Sequence, residues 1–135
     1  MTTIAFKDGI MAADSQTDWY YKEHVDIKIH KKNGIIIGSS GRTGDSELFR
    51  KWIFSKGDKP TVDDKFAALV VKNGRVMQYD AKLTPLRTEK YAAVGSGAVF
   101  AIAAMDCGKS AVEAIRIAKK RDVNTGGRIR TIKVK

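Results

Sequence analysis

The sequence has one cysteine, two histidines and no long uncharged apolar run. Each shortage excludes something. A single thiol, Cys107, forms no internal disulfide, which fits a reducing compartment and points to the cytoplasm. It lies in an Ala-rich helical pattern and reads as a small core residue, not as a nucleophile. His24 and His30 have neither cysteines nor paired carboxylates at ligand spacing, so no metal site and no cofactor are expected. Without an apolar run of membrane length, no spanning helix is expected. The start has no basic n-region and no long apolar h-region, so no signal peptide is expected either. Repeats and low-complexity tracts are missing. So is any aromatic-basic stacking motif, which argues against a specific nucleic-acid reading head.

What is present describes an ordinary domain. A chain of 135 residues with 43% hydrophobic content can bury a sufficient core as one unit, residues 1–135. The 25 basic residues against 15 acidic ones give a formal charge of +10, enough to attract polyanions without sequence preference.

The chain opens with two short apolar runs, Met1 to Phe6 and Ile10 to Asp14, around Lys7-Asp8-Gly9, a β-hairpin pattern from the first residue. Ser15 to Glu23, with Trp19, Tyr20 and Tyr21, reads as a loop or loose strand extension. Val25 to His30 alternates, with Val25, Ile27 and Ile29 on one face and Asp26, Lys28 and His30 on the other. Asn33-Gly34 then turns the chain into a returning strand, Ile35 to Ser39. Gly41 to Asp45 forms a glycine-punctuated turn into a helix with the apolar stripe Leu48, Phe49, Trp52 and Ile53, and Thr43 or Asp45 can cap it. A polar connection, Asp58 to Lys65, precedes a third hairpin from Phe66 to Tyr79 about Asn73-Gly74. Ala81 to Lys90 reads as a loop containing Pro85. Tyr91 to Val94 is a short buried strand running into Gly95-Ser96-Gly97. Ala98 to Cys107 is a helix closed by Gly108, and Ser110 caps another, Ala111 to Lys120, with Val112, Ile115 and Ala118 inward. Ile129 to Val134 is a last strand. The order implies an α+β layering, sheets inside and helices outside.

Several polar residues then fall into an order of their own. A Thr follows the initiator Met, and removal of Met1 leaves Thr2 with a hydroxyl and a free α-amine, a nucleophile with its own base. Lys28 lies on the polar face of an alternating strand. Gly41-Arg42-Thr43-Gly44-Asp45 opens the first helix, Gly95-Ser96-Gly97 the second. Lys119-Lys120-Arg121-Asp122-Val123-Asn124-Thr125-Gly126-Gly127 closes the third. Singly these have bland readings: Thr2 as a β-former, Lys28 as a solvated strand lysine, Asp14 and Asp122 as acids at element ends, Ser96 as a turn serine. In this order and spacing, from Thr2 to Val134, the chain resembles the proteasome β-subunit family of N-terminal-nucleophile hydrolases, which includes the HslV-type peptidases.

The resemblance implies an αββα sandwich of two antiparallel sheets with helices outside. It implies a threonine-type endopeptidase acting on unfolded polypeptides within a homo-oligomeric ring, with room for an ATP-dependent unfoldase partner. Carried over residue by residue, Thr2 is the nucleophile and its freed amine the general base. Lys28 is the active-site lysine, Asp14 the acid that fixes it, and the Gly41 N–H the oxyanion donor. Ser96, Asp122 and Thr125 surround the terminal amine, with Thr125 where the family often has Ser. The family's pocket for the residue before the scissile bond falls here on Asp26, His30, Ser39, Thr43 and Glu47. With Ser39 small and Glu47 at the base, that pocket is expected to favour Lys or Arg; the opposing reading turns Glu47 to solvent or pairs it with Arg42 or Arg50. One departure is substantial. The family's second long helix after the first has no counterpart, since only Ser55 to Lys65 remain, so one helix layer is reduced and a weaker or differently arranged ring stacking is expected. Because the fold also includes silent subunits, a non-proteolytic binding module with a basic surface is the alternative from another class. An amidohydrolase acting on a small amide is a third.

Overall fold

The structure, a computed structural model, describes residues 2–18, 21–24 and 26–135. Met1, Trp19, Tyr20 and Val25, which the sequence reading places in the first strand, the polar loop and the alternating strand, lie outside the described residues.

The chain starts in a hairpin, β1 (Thr3–Lys7) and β2 (Ile10–Ala13). Asp8 and Gly9 both take positive φ, +50° and +75°, as a tight two-residue turn needs. Two-residue strands β3 (Thr17–Asp18) and β4 (Lys22–Glu23) follow, then β5 (Ile29–Lys32) and β6 (Ile35–Ser40). Helix α1 (Thr43–Ser55) leads to β7 (Ala67–Lys72), β8 (Arg75–Tyr79) and β9 (Pro85–Arg87). The last third holds β10 (Ala92–Gly95), α2 (Ala98–Asp106), α3 (Ala111–Arg121) and β11 (Arg130–Lys133).

Two large antiparallel sheets result, one ordered β10-β1-β2-β11 and the other β5-β6-β7-β8-β9, with β3 and β4 paired apart from both. Alternation in the strands builds four layers. Ile4, Phe6, Met11 and Ala13 of the first sheet meet Ile36, Leu69, Val71 and Val76 of the second in the central core. The intervening residues face outward: Ala5 and Ala12 against α2 and α3, and Ile37, Ala68 and Val70 against α1. The α+β sandwich of two packed sheets with helices outside is as expected, with α1 alone over the second sheet.

Several local expectations are corrected. Residues 26–28, before β5, form no regular strand, and Ile27 is exposed while Ile29 is buried, so the described part of this segment does not alternate. Pro85 opens a strand instead of lying in a loop; β9 is an edge strand, where a missing N–H costs no ladder bond. The N-cap of α1 is Arg42, with no side-chain cap, and the Asp45 carboxylate accepts instead from the Asp63 N–H. Leu48 is exposed on α1 although Phe49 is fully buried. Cys107 follows the end of α2 and is exposed, not a core residue. Ser110 does cap α3, reciprocally with Glu113.

Candidate active site

Strand register brings the polar residues together. Ile4 pairs with Ala13, which sets Asp14 across from Thr3; Thr3 pairs with Gly95, which sets Ser96 across from Thr2. Asp14 is fully buried, and its two oxygens accept from four donors: the Thr3 N–H at 3.1 Å, Lys28 Nζ at 3.0 Å, the Gly126 N–H at 3.0 Å and the Gln16 N–H at 3.4 Å. A carboxylate without solvent needs that full complement. Lys28 is buried as well, in the stretch between β4 and β5, so this ion pair lies in the interior. Removing either partner of such a pair typically costs about 3–5 kcal/mol, because the other charge stays behind unpaired.

A second polar cluster lies on the other side of β1. Asp122, in the C-cap of α3, accepts from Ser96 Oγ at 2.5 Å, Thr125 Oγ1 at 2.6 Å and the Asn124 N–H at 3.1 Å. Burial pushes this carboxyl up, but the Ser96 and Thr125 hydroxyls, then the Asn124 N–H, outweigh it and hold it below its ordinary range. Thr125 Oγ1 also meets Thr3 Oγ1 at 2.7 Å, which ties the cluster to β1. Ser96 Oγ lies 3.4 Å from the Thr2 carbonyl oxygen, longer than its contact with Asp122, so its one proton belongs mainly to the carboxylate. Ser15 and Gln16 stitch the Val123–Arg128 loop to the end of β2: the Ser15 N–H donates to Gly126, Ser15 Oγ to Arg128, and Gln16 Nε2 to Val123.

Two glycines bear directly on Thr2 and its cavities. At Gly95, with φ +103°, a Cβ would stand 1.8 Å from the Thr2 carbonyl oxygen, so any side chain would expel Thr2 from its place. Gly41, with φ +133°, adopts a backbone conformation that residues with a side chain rarely take.

Thr2 is buried between the two polar clusters and lines two cavities. The larger is a cleft of about 690 Å³ that also touches Thr17, Asp26, Gly41 and Thr43. The smaller, about 60 Å³, is lined by Thr2, Asp26, Gly41 and Thr43 again, and further by Ile27, Lys28, Ser39, Ser46 and Arg50. Of the pocket residues expected from sequence, Asp26, Ser39 and Thr43 therefore line this cavity. His30 does not; it is half-buried, and its Nδ1 is buried without a hydrogen-bond partner among the described residues. Burial first, then the nearby Arg50 charge, lowers the His30 pKa from its ordinary value, while Asp26 opposes them. Glu47 is exposed and lines neither cavity. The cause is helical phase: Thr43, Ser46 and Arg50 stand at i, i+3 and i+7 on one face of α1, and Glu47 is turned about 100° from Ser46.

Arg50 was missed in the sequence, although the same spacing from Thr43 would have found it. Thr3 and Gln16, which brace the acids, carry no sequence signal beyond their position beside Thr2 and Asp14. Among the described residues no group of His, Cys, Asp and Glu could hold a metal ion, and no helix is long and apolar enough to cross a membrane.

No protein-family model and no curated protein sequence matches the chain. Solved structures do. BPH from Thiobacillus denitrificans in complex with epoxomicin is similar with a TM-score of 0.75 at 18% identity, over 99% of this chain and 98% of that one. The same BPH without that compound gives 0.74 at 18% identity, over 99% and 98%. Eukaryotic HslV from Trypanosoma brucei gives 0.70 at 18% identity, over 97% of each chain. The chain shares the fold of these BPH and HslV structures along nearly its whole length.

Proposed function

We propose that this protein is a threonine-type endopeptidase whose nucleophile is Thr2, freed when Met1 is removed. The observation that carries the reading is the location of Thr2: buried at the mouth of a cleft, beside Gly41, between the Asp14–Lys28 pair and the Ser96–Asp122–Thr125 cluster. A lone surface threonine has none of these neighbours. The BPH complex with epoxomicin adds support from a protein of the same fold.

The chemistry follows from these groups. Thr2 Oγ bonds to the substrate carbonyl carbon while its proton passes to the Thr2 α-amine, whose ordinary pKa of roughly 7.7–8.0 suits it to accept a proton near neutrality. The carbonyl oxygen becomes an oxyanion facing the Gly41 N–H. On collapse the C–N bond breaks, the leaving amine takes the proton from the α-ammonium, and an ester to Thr2 remains. Water then cleaves that ester by the reverse proton path. Lys28, held by Asp14, contributes positive charge that favours the neutral amine and the oxyanion. Ser96, Asp122 and Thr125 orient the amine. The natural substrate in this reading is unfolded polypeptide, handled in the cytoplasm by a homo-oligomer of this single-domain chain, with an ATP-dependent unfoldase as an optional partner.

Intact mass after incubation with a peptide epoxyketone tests the assignment. The expected product is a chain lacking Met1 and carrying one inhibitor, with no adduct on Thr2→Ala. Peptide cleavage should vanish in Thr2→Ala and fall nearly as far in Lys28→Ala. Retained Met1 with no adduct, or undiminished turnover in Thr2→Ala, would overturn the reading.

A further inference from the structure

The small cavity beside Thr2 has two ends of different character. Thr2, Asp26, Gly41 and Thr43 line both it and the large cleft, so they form the rim where the two spaces join. Ile27, Lys28, Ser39, Ser46 and Arg50 line only the small cavity and form its other end. That end therefore holds two cations, two hydroxyls and one exposed isoleucine. Lys28 is already matched by Asp14 at 3.0 Å. Arg50 has no carboxylate within ion-pair distance among the described residues and is only half-buried. The sole acid of the cavity, Asp26, sits at the rim, and its carboxylate accepts from Thr17 Oγ1 at 3.0 Å.

We propose that Arg50 is the specificity-determining residue of this cavity, and that it selects substrates with an acidic side chain, glutamate above all, on the residue whose carbonyl Thr2 attacks. The inference rests on the peptidase reading and names its substrate class. Position supports it: a pocket that opens directly beside the nucleophile is within reach of that residue's side chain. Size supports it too. One water-sized group needs roughly 10–15 Å³, so about 60 Å³ takes about four to six heavy atoms, the five of a glutamate side chain but not the ten of tryptophan. Charge decides the rest. A guanidinium presents a planar fork that matches a carboxylate in two parallel hydrogen bonds, and the Ser39 and Ser46 hydroxyls are further donors. A lysine or arginine side chain would instead approach Arg50 and Lys28 with like charge, and would find its only acid behind it at the rim. An aliphatic side chain would fill the space and leave Arg50 unpaired. The preference is thus opposite in sign to the one expected with Glu47 at the base.

The test uses fluorogenic peptides identical except for Glu, Gln, Leu or Arg at the residue before the cleaved bond. Wild type should cleave after Glu with the highest kcat/KM. In Arg50→Gln the Glu:Leu ratio of kcat/KM should fall about tenfold or more, the size of one charge-assisted hydrogen bond, and Arg50→Lys should restore part of it. Arg50→Glu should move the preference to Arg. Faster cleavage after Leu or Arg than after Glu in wild type, or an unchanged ratio in Arg50→Gln, would overturn the proposal. Absence of turnover and of any epoxyketone adduct would fail the peptidase reading separately. Binding then decides the pocket: dye-labelled peptides ending in a Glu or Gln residue should bind Thr2→Ala protein with Kd values at least fivefold apart, and equal values would overturn the assignment of Arg50.

Discussion

The two outer layers of the sandwich are built on opposite principles. Over the first sheet, α2 and α3 pack mostly through Ala101, Ala104, Ala111 and Ala114, with Met105 and Ile115 between them, onto Ala5 and Ala12. Small residues on both sides bring helix and sheet backbones close, and the reciprocal Ser110–Glu113 cap fixes where α3 begins. Over the second sheet α1 stands alone and packs through rings. Phe49 is fully buried, with ring centroids 5.1 Å from both Phe66 and Tyr79 and 6.0 Å from Trp52. The first layer backs β1 and ends in Asp122, so it holds the polar machinery around Thr2. The second layer supplies Thr43, Ser46 and Arg50, the wall of the small cavity. The difference teaches a division of support: the polar clusters beside Thr2 stand on tightly spaced backbone, and one wall of the small cavity on a helix held by a few large side chains. Residues on such a helix can change while those clusters stay where they are.

The comparison can be broken by crossing the substitutions. Truncation should hurt the ring layer most. Phe49→Ala should cost about 3–5 kcal/mol, the range for an emptied aromatic site, read from urea unfolding at constant m. Enlargement should hurt the alanine layer. Ala114 is fully buried, and Ala114→Val should cost about 1–3 kcal/mol by overpacking, whereas exposed Leu48→Val on α1 should lie within about 0.5 kcal/mol. If Phe49→Ala and Ala114→Val cost the same, the two layers do not differ as described.

The smallest effect is one of pH and belongs to the ring layer's side, where His30 lies near Arg50. Its folded pKa is lowered by burial and then by Arg50. The neutral ring is therefore favoured on folding, and its contribution is full above the unfolded value of roughly 6.5 and lost as pH falls through the folded value. The urea midpoint of wild type should drop between pH 7.5 and 5.5 by more than that of His30→Gln. Equal drops would remove His30 from the account.

Some of this was legible in the sequence, and the reason differs by residue. Asp14 and Ser96 were placed by the family resemblance, and the observed register sets them across from Thr3 and Thr2, where a tight hairpin and a glycine-flanked strand end leave little freedom. Ser110 could be read because its cap is local, completed three residues away. Lys28 was placed by the family resemblance, since its segment does not alternate and Ile27 is exposed. Glu47 and Arg50 show where reading stopped. Offsets along a strand survive shifts of two, but on a helix one residue turns the side chain by about 100°. Only the observed phase of α1 separates the residue that lines the cavity from the one that faces solvent. Cys107 was misjudged for a similar reason: an apolar pattern continues to it, but α2 ends one residue earlier.

Thr2 and part of its polar setting lie far apart in the sequence. The contact between Thr3 and Thr125 spans 122 residues of a 135-residue chain, and that between Asp14 and Gly126 spans 112. β1 also needs β10 as its neighbour before its second edge is covered. At roughly 5–20 residues per second, synthesis of the stretch between Thr2 and Gly126 lasts on the order of ten seconds. During that time the growing chain carries Thr2 with no Asp122, no Thr125 and no Gly126 donor to Asp14. The polar setting of Thr2 is closed only once the Asp122–Gly126 segment has been made, so a chain stopped short of it carries the threonine without that setting.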